Sequence, residues 1–216
     1  MDHEAILTRI RQTGIIPIIR TTNAETALKA IEALREGGLD CAEITMTVEN
    51  AIRALEAVAD RYGDSFLLGA GTVLDPETAR SCMLAGAQFF VAPSLNIRTI
   101  EMTRRYSKPM FPGALTPTEV LTAWEAGASA IKVFPCSAVG GASYIRALKA
   151  PFPQIELIPT GGVNLDTIGD FLRAGCLAVG VGSELIDSKA IAAGNYDLIA
   201  DRARLFKSGT RTPFPN

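Results

Sequence analysis

The sequence predicts an α/β fold: a single (β/α)8 TIM barrel that spans residues 1–216 and carries an extra helix at its N-terminus. Two observations favour this architecture. Short apolar runs alternate with segments whose apolar residues recur at helical spacing, and a glycine-containing motif returns after every second unit of this alternation. An open doubly wound sheet would show the same alternation, but eight units with a repeat of two favour a closed barrel.

Eight apolar runs are predicted strands, because they are too short for helices and rich in branched and aromatic residues. They cover residues 15–20, 41–46, 66–73, 89–93, 109–113, 130–135, 156–162 and 178–183. Helical spacing is evident over residues 24–36, 50–61 and 118–126. Residues 2–13 precede the first strand, and we expect them to form the extra helix, which covers the bottom of the barrel.

Helix ends are marked by capping residues and glycines. Asp75 and Thr116 each stand directly before a proline, as a capping side chain does before the first helical position. Glycines that favour a left-handed C-cap follow four helical segments, at Gly37-Gly38, Gly86, Gly127 and Gly175. They recur at intervals of about 40 to 50 residues, which is the length of two strand–helix units.

Charge and hydropathy narrow the function classes. The chain has 21 basic and 23 acidic residues, and the basic residues are dispersed, which disfavours a nucleic-acid partner. No apolar stretch approaches the roughly 18 residues of a transmembrane span, and the N-terminus shows no signal-peptide core. We therefore expect a soluble, cytoplasmic protein without a membrane partner.

The cysteine and histidine content limits the kinds of disulfide, metal-binding and catalytic sites that this chain can form. The four cysteines form no CxxC pair and His3 is the only histidine, so neither a disulfide scaffold nor a metal site is expected. A Ser-His-Asp hydrolase would need a histidine within the fold. An enzyme built on this chain must therefore use lysine, arginine, carboxylates, hydroxyls and backbone dipoles.

Lys132 is the candidate nucleophile. It lies inside a predicted strand, whereas the other five lysines lie in helical or polar segments. Removing an ammonium group from water favours the neutral amine, which attacks a carbonyl and forms a Schiff base. The alternative is a strand-end lysine whose charge reaches solvent or pairs with a carboxylate.

Strand alternation places Lys132 and Phe134 on the inner side of the barrel, and it places Glu43 and Thr45 there as well. A buried carboxyl group beside a buried amine suits an acid–base group and a nucleophile. A plain buried salt bridge is the alternative interpretation.

Further candidates lie at the carboxyl ends of the strands, where TIM barrels have their active sites. Arg20 suits a carboxylate or a phosphate unless it is simply solvated. Thr72 ends a glycine-rich strand that a ligand can approach closely, and its hydroxyl group can donate to a carboxylate, although glycine-rich strands also serve simply for packing. Thr160-Gly161-Gly162-Val163-Asn164 follows strand seven and Gly180-Val181-Gly182-Ser183 ends strand eight, and barrels commonly bind phosphate at these two positions. Glycine-rich turns without an anion are the alternative interpretation. Together these two segments favour a phosphorylated ligand.

Nine short motifs follow one another between residues 15 and 183. They are Pro17-Ile18-Ile19-Arg20, Glu43-Ile44-Thr45, Gly69-Ala70-Gly71-Thr72-Val73, Ala92-Pro93, Pro112-Gly113, Thr116-Pro117-Thr118-Glu119, Ile131-Lys132-Val133-Phe134-Pro135, Pro159-Thr160-Gly161-Gly162-Val163 and Val179-Gly180-Val181-Gly182-Ser183. In order and spacing they resemble the pyruvate-dependent class I aldolases of the 2-keto-3-deoxy-6-phosphogluconate (KDPG) and 4-hydroxy-2-oxoglutarate (KHG) family. Each motif is short, but their joint arrangement makes the resemblance specific.

The resemblance implies a role for each candidate residue. Lys132 would form the Schiff base with the keto carbon of pyruvate, and Glu43 would move protons through a water. The pyruvyl carboxylate would be surrounded by Arg20, Thr72 and Pro93, with Phe134 beside the lysine. The acceptor phosphate would be held by Gly161, Gly162 and Ser183, and Thr160 and Gly182 complete the predicted substrate contacts. The iminium is the electron sink, so no metal or other cofactor is implied.

Some members of this family carry arginine where this chain has Thr47, which leaves open how the aldehyde half of the substrate is oriented. KDPG, its galactonate epimer and KHG all remain candidate substrates. The family is typically trimeric and serves carbohydrate metabolism, including the Entner–Doudoroff pathway. Two other classes also stay open: a phosphate-binding barrel isomerase or synthase without a covalent intermediate, and a phosphosugar sensor without turnover.

Overall fold

The computed structural model describes residues 1–210 as an α/β fold. Nine short strands lie in this part of the chain: β1 (Ile15–Ile19), β2 (Cys41–Thr45), β3 (Leu67–Gly71), β4 (Phe89–Val91), β5 (Met110–Phe111), β6 (Gly113–Ala114), β7 (Ile131–Val133), β8 (Leu157–Pro159) and β9 (Val179–Val181). Each falls within or overlaps one of the eight predicted strands. The predicted fifth strand is split into β5 and β6, because Pro112 between them has no N–H to donate to a neighbouring strand.

Helices alternate with these strands. They are α1 (His3–Thr13), α2 (Ala24–Glu36), α3 (Ala51–Tyr62), α4 (Pro76–Leu84), α5 (Ile97–Arg105), α6 (Pro117–Glu125), α7 (Ala142–Lys149), α8 (Ile168–Arg173), α9 (Ser188–Ala192) and α10 (Tyr196–Gly209), with short 3₁₀ turns over 63–65 and 136–139. No helix among residues 1–210 is both long enough and apolar enough to cross a membrane.

All strand pairs are parallel, and the sheet curls into a half-barrel. Six strands are hydrogen-bonded in the order β5-β4-β3-β2-β1-β9, and three more in the order β6-β7-β8. An isolated bridge between Thr160 and Gly180 joins the end of β8 to β9. The carboxyl ends of β1, β2, β7, β8 and β9 thus lie at one edge of the fold.

The predicted extra helix is present as α1, and its apolar face packs against the inner side of the curled sheet. Ile6 and Ile10 of this helix are fully buried in one apolar cluster with inward residues of the strands, among them Phe89 and Phe111. Gly69 makes room for this cluster, since a Cβ at that position would lie 2.2 Å from the Phe89 ring. The bottom of the sheet is therefore filled with side chains, and the opposite edge is left for polar groups.

The capping predictions are confirmed. The side chain of Asp75 accepts a hydrogen bond from the backbone N–H of Thr78, and Thr116 forms a capping box with Glu119. Gly38, Gly86, Gly127 and Gly175 adopt the left-handed conformation that ends a helix, whereas Gly37 does not. The helix predicted over 50–61 begins one residue later, at Ala51, because Asn50 has a left-handed backbone at φ 57°.

Candidate active site

Lys132 occupies the middle of β7 and points to the inner side of the curled sheet. Its neighbours Ile131 and Val133 belong to the other apolar cluster, between sheet and helices, as strand alternation requires. The side chain of Lys132 is buried, with the residue only 3% exposed. The strand therefore holds an amine away from solvent, as the sequence predicts.

Glu43 in β2 reaches the same interior point. Its Oε1 atom lies 3.8 Å from Nζ of Lys132, and the residue is 1% exposed. Burial raises the pKa of the Glu43 carboxyl above its usual range, although the positive charges of Lys132 and Arg20 oppose that rise. The structure thus joins two side chains that are 89 positions apart in the sequence.

The Oε1 atom of Glu43 accepts no hydrogen bond from any group within residues 1–210. Its distance to Lys132 exceeds that of a direct hydrogen bond. An unpartnered carboxyl oxygen in a buried site is costly unless another group completes it. This pair is therefore arranged to receive a polar atom of a ligand or a water.

Phe134 lies on the same side of its chain segment as Lys132. The amine Nζ is 5.3 Å from the centroid of the Phe134 ring, which is a cation–π distance, and the ring is half-buried. Phe134 also lines a cavity that opens at the carboxyl ends of the strands. The ring thus forms the boundary between the buried amine and this cavity.

The cavity has a volume of about 350 Å³. Seven predicted site residues line it: Arg20, Phe134, Thr160, Gly161, Gly162, Gly182 and Ser183. Val163, Asn164 and Gly180 also line it and belong to the two predicted phosphate segments, whereas sequence reasoning missed the other lining residues: Ile18, Glu184, Ile186 and Ser188. Glu184 directly follows the predicted segment 180–183, so its proximity in sequence was the available signal.

Four predicted residues do not line this cavity: Lys132, Glu43, Thr72 and Pro93. Thr72 and Pro93 lie at the ends of β3 and β4, on the far side of β2 from the cavity. Thr72 adopts φ 58°, a left-handed backbone that is uncommon for threonine. The predicted residues therefore form two adjoining groups. One is buried around Lys132, and the other is open and lies around the glycine segments, which are residues 160–164 and 180–183.

The open group presents backbone donors. Gly161 and Gly162 both have positive φ, at 94° and 79°. Among the described residues, no acceptor contacts the backbone N–H of Gly162 or of Ser183. Gly180 is required here, because a Cβ on it would lie 2.3 Å from Oγ1 of Thr160. Free N–H groups in such turns suit an anion.

The Cys136 thiol is unfavourable as a nucleophile, and His3 is unfavourable as a catalytic residue. Burial raises the pKa of the Cys136 thiol, which lies near Lys132 in the sequence, to about 11, so this thiol is not ionised near neutral pH. His3 lies in α1, where its Nε2 is 2.8 Å from Oγ of Ser129, away from the carboxyl ends of the strands. No group of three or more His, Cys, Asp or Glu side chains that would hold a metal occurs within residues 1–210.

Comparisons with known proteins agree with this geometry. A family model described as KDPG and KHG aldolase matches residues 6–202. A 2-dehydro-3-deoxy-phosphogluconate aldolase of Haemophilus influenzae is 35% identical over 201 residues, which cover 93% of this chain and 94% of that protein. A 2-dehydro-3-deoxy-6-phosphogalactonate aldolase of Escherichia coli K12 is 38% identical over 172 residues, which cover 79% of this chain and 83% of that protein.

A solved structure shows the same likeness. The KDPG aldolase of Legionella pneumophila, with pyruvate captured at low pH as a covalent carbinolamine intermediate, superposes with a TM-score of 0.86. It is 30% identical in sequence, and the match covers 92% of this chain and 96% of that one.

Proposed function

The chain belongs to the KDPG and KHG aldolase family, and on this premise we propose that it is a class I aldolase that cleaves KDPG into pyruvate and glyceraldehyde 3-phosphate. It is a carbon–carbon lyase, as its relatives are. The observation that carries the proposal is the buried pair of Lys132 and Glu43, with Nζ and Oε1 3.8 Å apart. An amine and a carboxyl group are the two parts that Schiff-base chemistry requires.

Lys132 begins the reaction. Its neutral amine attacks the C2 keto carbon of the substrate and forms a carbinolamine, which loses water to give an iminium. Glu43 donates a proton to the departing hydroxyl group, and burial, which raises the pKa of its carboxyl, favours the protonated form that this step uses. An oxygen atom beside the pair, within hydrogen-bond distance of both Nζ and Oε1, would serve as the proton carrier.

Glu43 then accepts the proton of the C4 hydroxyl group. The electrons of the C3–C4 bond move into the iminium, C4 becomes the carbonyl carbon of the released aldehyde, and an enamine remains on Lys132. Protonation at C3 and addition of water to the resulting iminium release pyruvate and restore the amine. The iminium is the electron sink, so the chemistry uses only groups of this chain, the substrate and water.

Arg20, Thr72 and Pro93 are proposed to surround the pyruvyl carboxylate, and Phe134 to pack beside the Schiff base. The phosphate is proposed to bind the glycine segments, at Thr160, Gly161, Gly162, Gly182 and Ser183. The cavity at the carboxyl ends of β8 and β9 supports this assignment. It is lined by Gly162 and Ser183, whose backbone N–H groups have no acceptor within the described residues, and such groups bind an anion favourably.

Cleavage of 2-keto-3-deoxy-6-phosphogalactonate is a second candidate, because the E. coli enzyme of that name is 38% identical to this chain. KHG, which would give pyruvate and glyoxylate, is a third substrate of the same chemistry. Measuring pyruvate release from KDPG, its galactonate epimer and KHG ranks the three. An isomerase, a synthase or a phosphosugar sensor would release no pyruvate from any of them.

The surrounding architecture is proposed as a complete (β/α)8 barrel formed by one domain over residues 1–216, of which 211–216 lie outside the described residues. The bridge between Thr160 and Gly180 supports closure, since it joins the two sheets at β8 and β9.

We further propose a cytoplasmic homotrimer. Leu74 and Ile97 support association, because they are 49% and 44% exposed on adjoining segments. Light scattering should give about three times the monomer mass.

Reduction with borohydride in the presence of pyruvate tests the proposed function. We expect one reduced pyruvyl group per chain, on the peptide that contains Lys132. Lys132→Ala should take up no label and lose activity by several orders of magnitude, while Lys189→Ala, on the exposed surface of α9, should behave as wild type. A label on another lysine, or no label at all, would overturn the Schiff-base assignment.

A further inference from the structure

Thr45 ends β2 two residues after Glu43, and it is completely buried. Its Oγ1 donates a hydrogen bond to the carbonyl oxygen of Ile19 at 3.2 Å and lies 2.6 Å from Oγ1 of Thr47. A hydroxyl group has one proton, so with that proton on Ile19 the hydroxyl group of Thr47 donates to Thr45. The two hydroxyl groups thus form a short directed chain that ends on β1.

This hydrogen bond adds a side-chain contact at the end of the backbone ladder between β1 and β2. The paired residues of the two strands end at Ile19 and Ile44, whereas β2 and β3 stay paired as far as Thr45 and Gly71. Arg20 is the next residue after Ile19. The Thr45 side chain therefore holds the carbonyl group of Ile19, which is bonded directly to the backbone nitrogen of Arg20.

The methyl group of Thr45 contacts β3, the strand on the other side of β2. A Cβ on Gly71 would lie 3.2 Å from Cγ2 of Thr45, so this methyl group packs closely against the end of β3. Thr72 follows Gly71 directly and has the left-handed backbone noted above. A non-glycine residue in that region persists only where its surroundings hold it.

We propose that Thr45 is a positioning residue that holds Arg20 and Thr72 in place for the carboxylate of the bound keto acid. The inference rests on the proposed function, in which those two residues contact the carboxylate. Thr45 itself acts through its neighbours, with the hydroxyl group holding the end of β1 and the methyl group holding the end of β3. The hydroxyl group carries the larger part, because its loss leaves the Ile19 carbonyl without this donor inside the fold.

Thr45→Val tests the hydroxyl group, since it keeps size and methyl group. We expect the pyruvate concentration for half-maximal borohydride trapping on Lys132, and KM for KDPG, to rise about tenfold, as for the loss of one buried hydrogen bond, while kcat changes by less than about threefold. Trapping with hydroxyacetone, a ketone that lacks the carboxylate, should be unchanged. Thr45→Ser, which keeps the hydroxyl group, should restore most of the pyruvate affinity.

The ratio of pyruvate to hydroxyacetone trapping separates positioning from a merely structural role. An equal loss for both ketones in Thr45→Val, or no loss for either, would overturn the inference. If Thr45→Val does not fold, Thr45→Ser and Thr45→Ala decide in its place, because only the alanine variant should lower the ratio; equal ratios would overturn the inference. Failure of wild type to trap pyruvate would refute the proposed function instead, so the two outcomes are distinguishable.

Discussion

Gly71 and Glu43 fit together only because Gly71 has no side chain. A Cβ on Gly71 would lie 2.8 Å from both Cδ and Oε1 of Glu43. The two residues lie on neighbouring strands, where Glu43 pairs with Gly69 and Thr45 with Gly71. The space above Gly71 is therefore the space in which the carboxyl group lies when it faces Lys132.

Gly71→Ala should reduce kcat by about 10- to 100-fold, because displacing a catalytic group by even 1 Å has effects of that size. The backbone of Gly71 lies outside the left-handed region, so alanine is compatible with its conformation. We therefore expect a small change in melting temperature. Steady-state kinetics on KDPG and a thermal melt measure the two effects.

The matched control is Gly169→Ala in α8, where an added Cβ would meet only the far end of the Arg173 side chain, at 3.1 Å. That variant should keep wild-type kcat. Full activity in Gly71→Ala would show that the carboxyl group of Glu43 can leave its position without loss, and its proposed role in proton transfer would then be untenable.

The buried pair could be anticipated from the sequence because each of its members obeys strand alternation separately. Lys132 and Glu43 each occupy an inward position of a short apolar strand, so their convergence needed only a curled parallel sheet. The helix caps could also be predicted, because they depend only on neighbouring residues. A proline after Asp75 and after Thr116 indicates a helix start whatever the rest of the fold is.

The contacts of Thr45 could not be anticipated in the same way. Its bond to Ile19 and its packing against Gly71 depend on the register between strands, and a shift of one residue would turn the side chain to the other face. The split of the fifth strand at Pro112 also depends on pairing, because the missing N–H matters only where a partner strand needs it.

Stability should respond to the buried carboxyl of Glu43. Because burial raises the pKa of this group above its unfolded value, the native state holds the proton more tightly than the unfolded chain does. The unfolding free energy therefore falls as pH rises from the unfolded pKa, near the model-peptide value of about 4.3, through the folded pKa. Glu43→Gln removes this dependence.

We accordingly expect the melting temperature of Glu43→Gln relative to wild type to increase between pH 4 and pH 8. Thermal melts of both proteins across that range provide the measurement. A relative melting temperature that decreases with pH would mean that the attraction of Lys132 outweighs burial, and the carboxyl group would then be ionised throughout the working range.

Activity should survive exhaustive treatment with EDTA, because the iminium on Lys132 takes up the electrons of the broken bond and no Lewis acid is needed in the proposed reaction. The assay is pyruvate release from KDPG before and after chelation, with metal-free buffers. Loss of activity that zinc or magnesium restores would contradict this prediction and, with it, the absence of a metal from the mechanism.

Ser183→Asp separates phosphate binding from chemistry. Ser183 is exposed at the cavity, and a carboxylate there should repel a phosphorylated substrate but hardly affect KHG, which has no phosphate. We expect kcat/KM for KDPG to fall by at least about tenfold, the equivalent of 1.4 kcal/mol, while kcat/KM for KHG changes little. Ser183→Asn is the control, since it adds similar bulk without charge.

Glu43→Gln provides the complementary result, because it removes the proton acceptor and should lower kcat for both substrates by about 10² to 10⁴, the usual range for a positioned acid–base group. Only the combination supports the proposed division of the site: a general loss from the buried pair and a phosphate-dependent loss from the glycine segments. If Ser183→Asp harmed KDPG and KHG cleavage equally in a folded protein, the ends of β8 and β9 would not be a phosphate site, and KHG or another unphosphorylated keto acid would become the better candidate substrate.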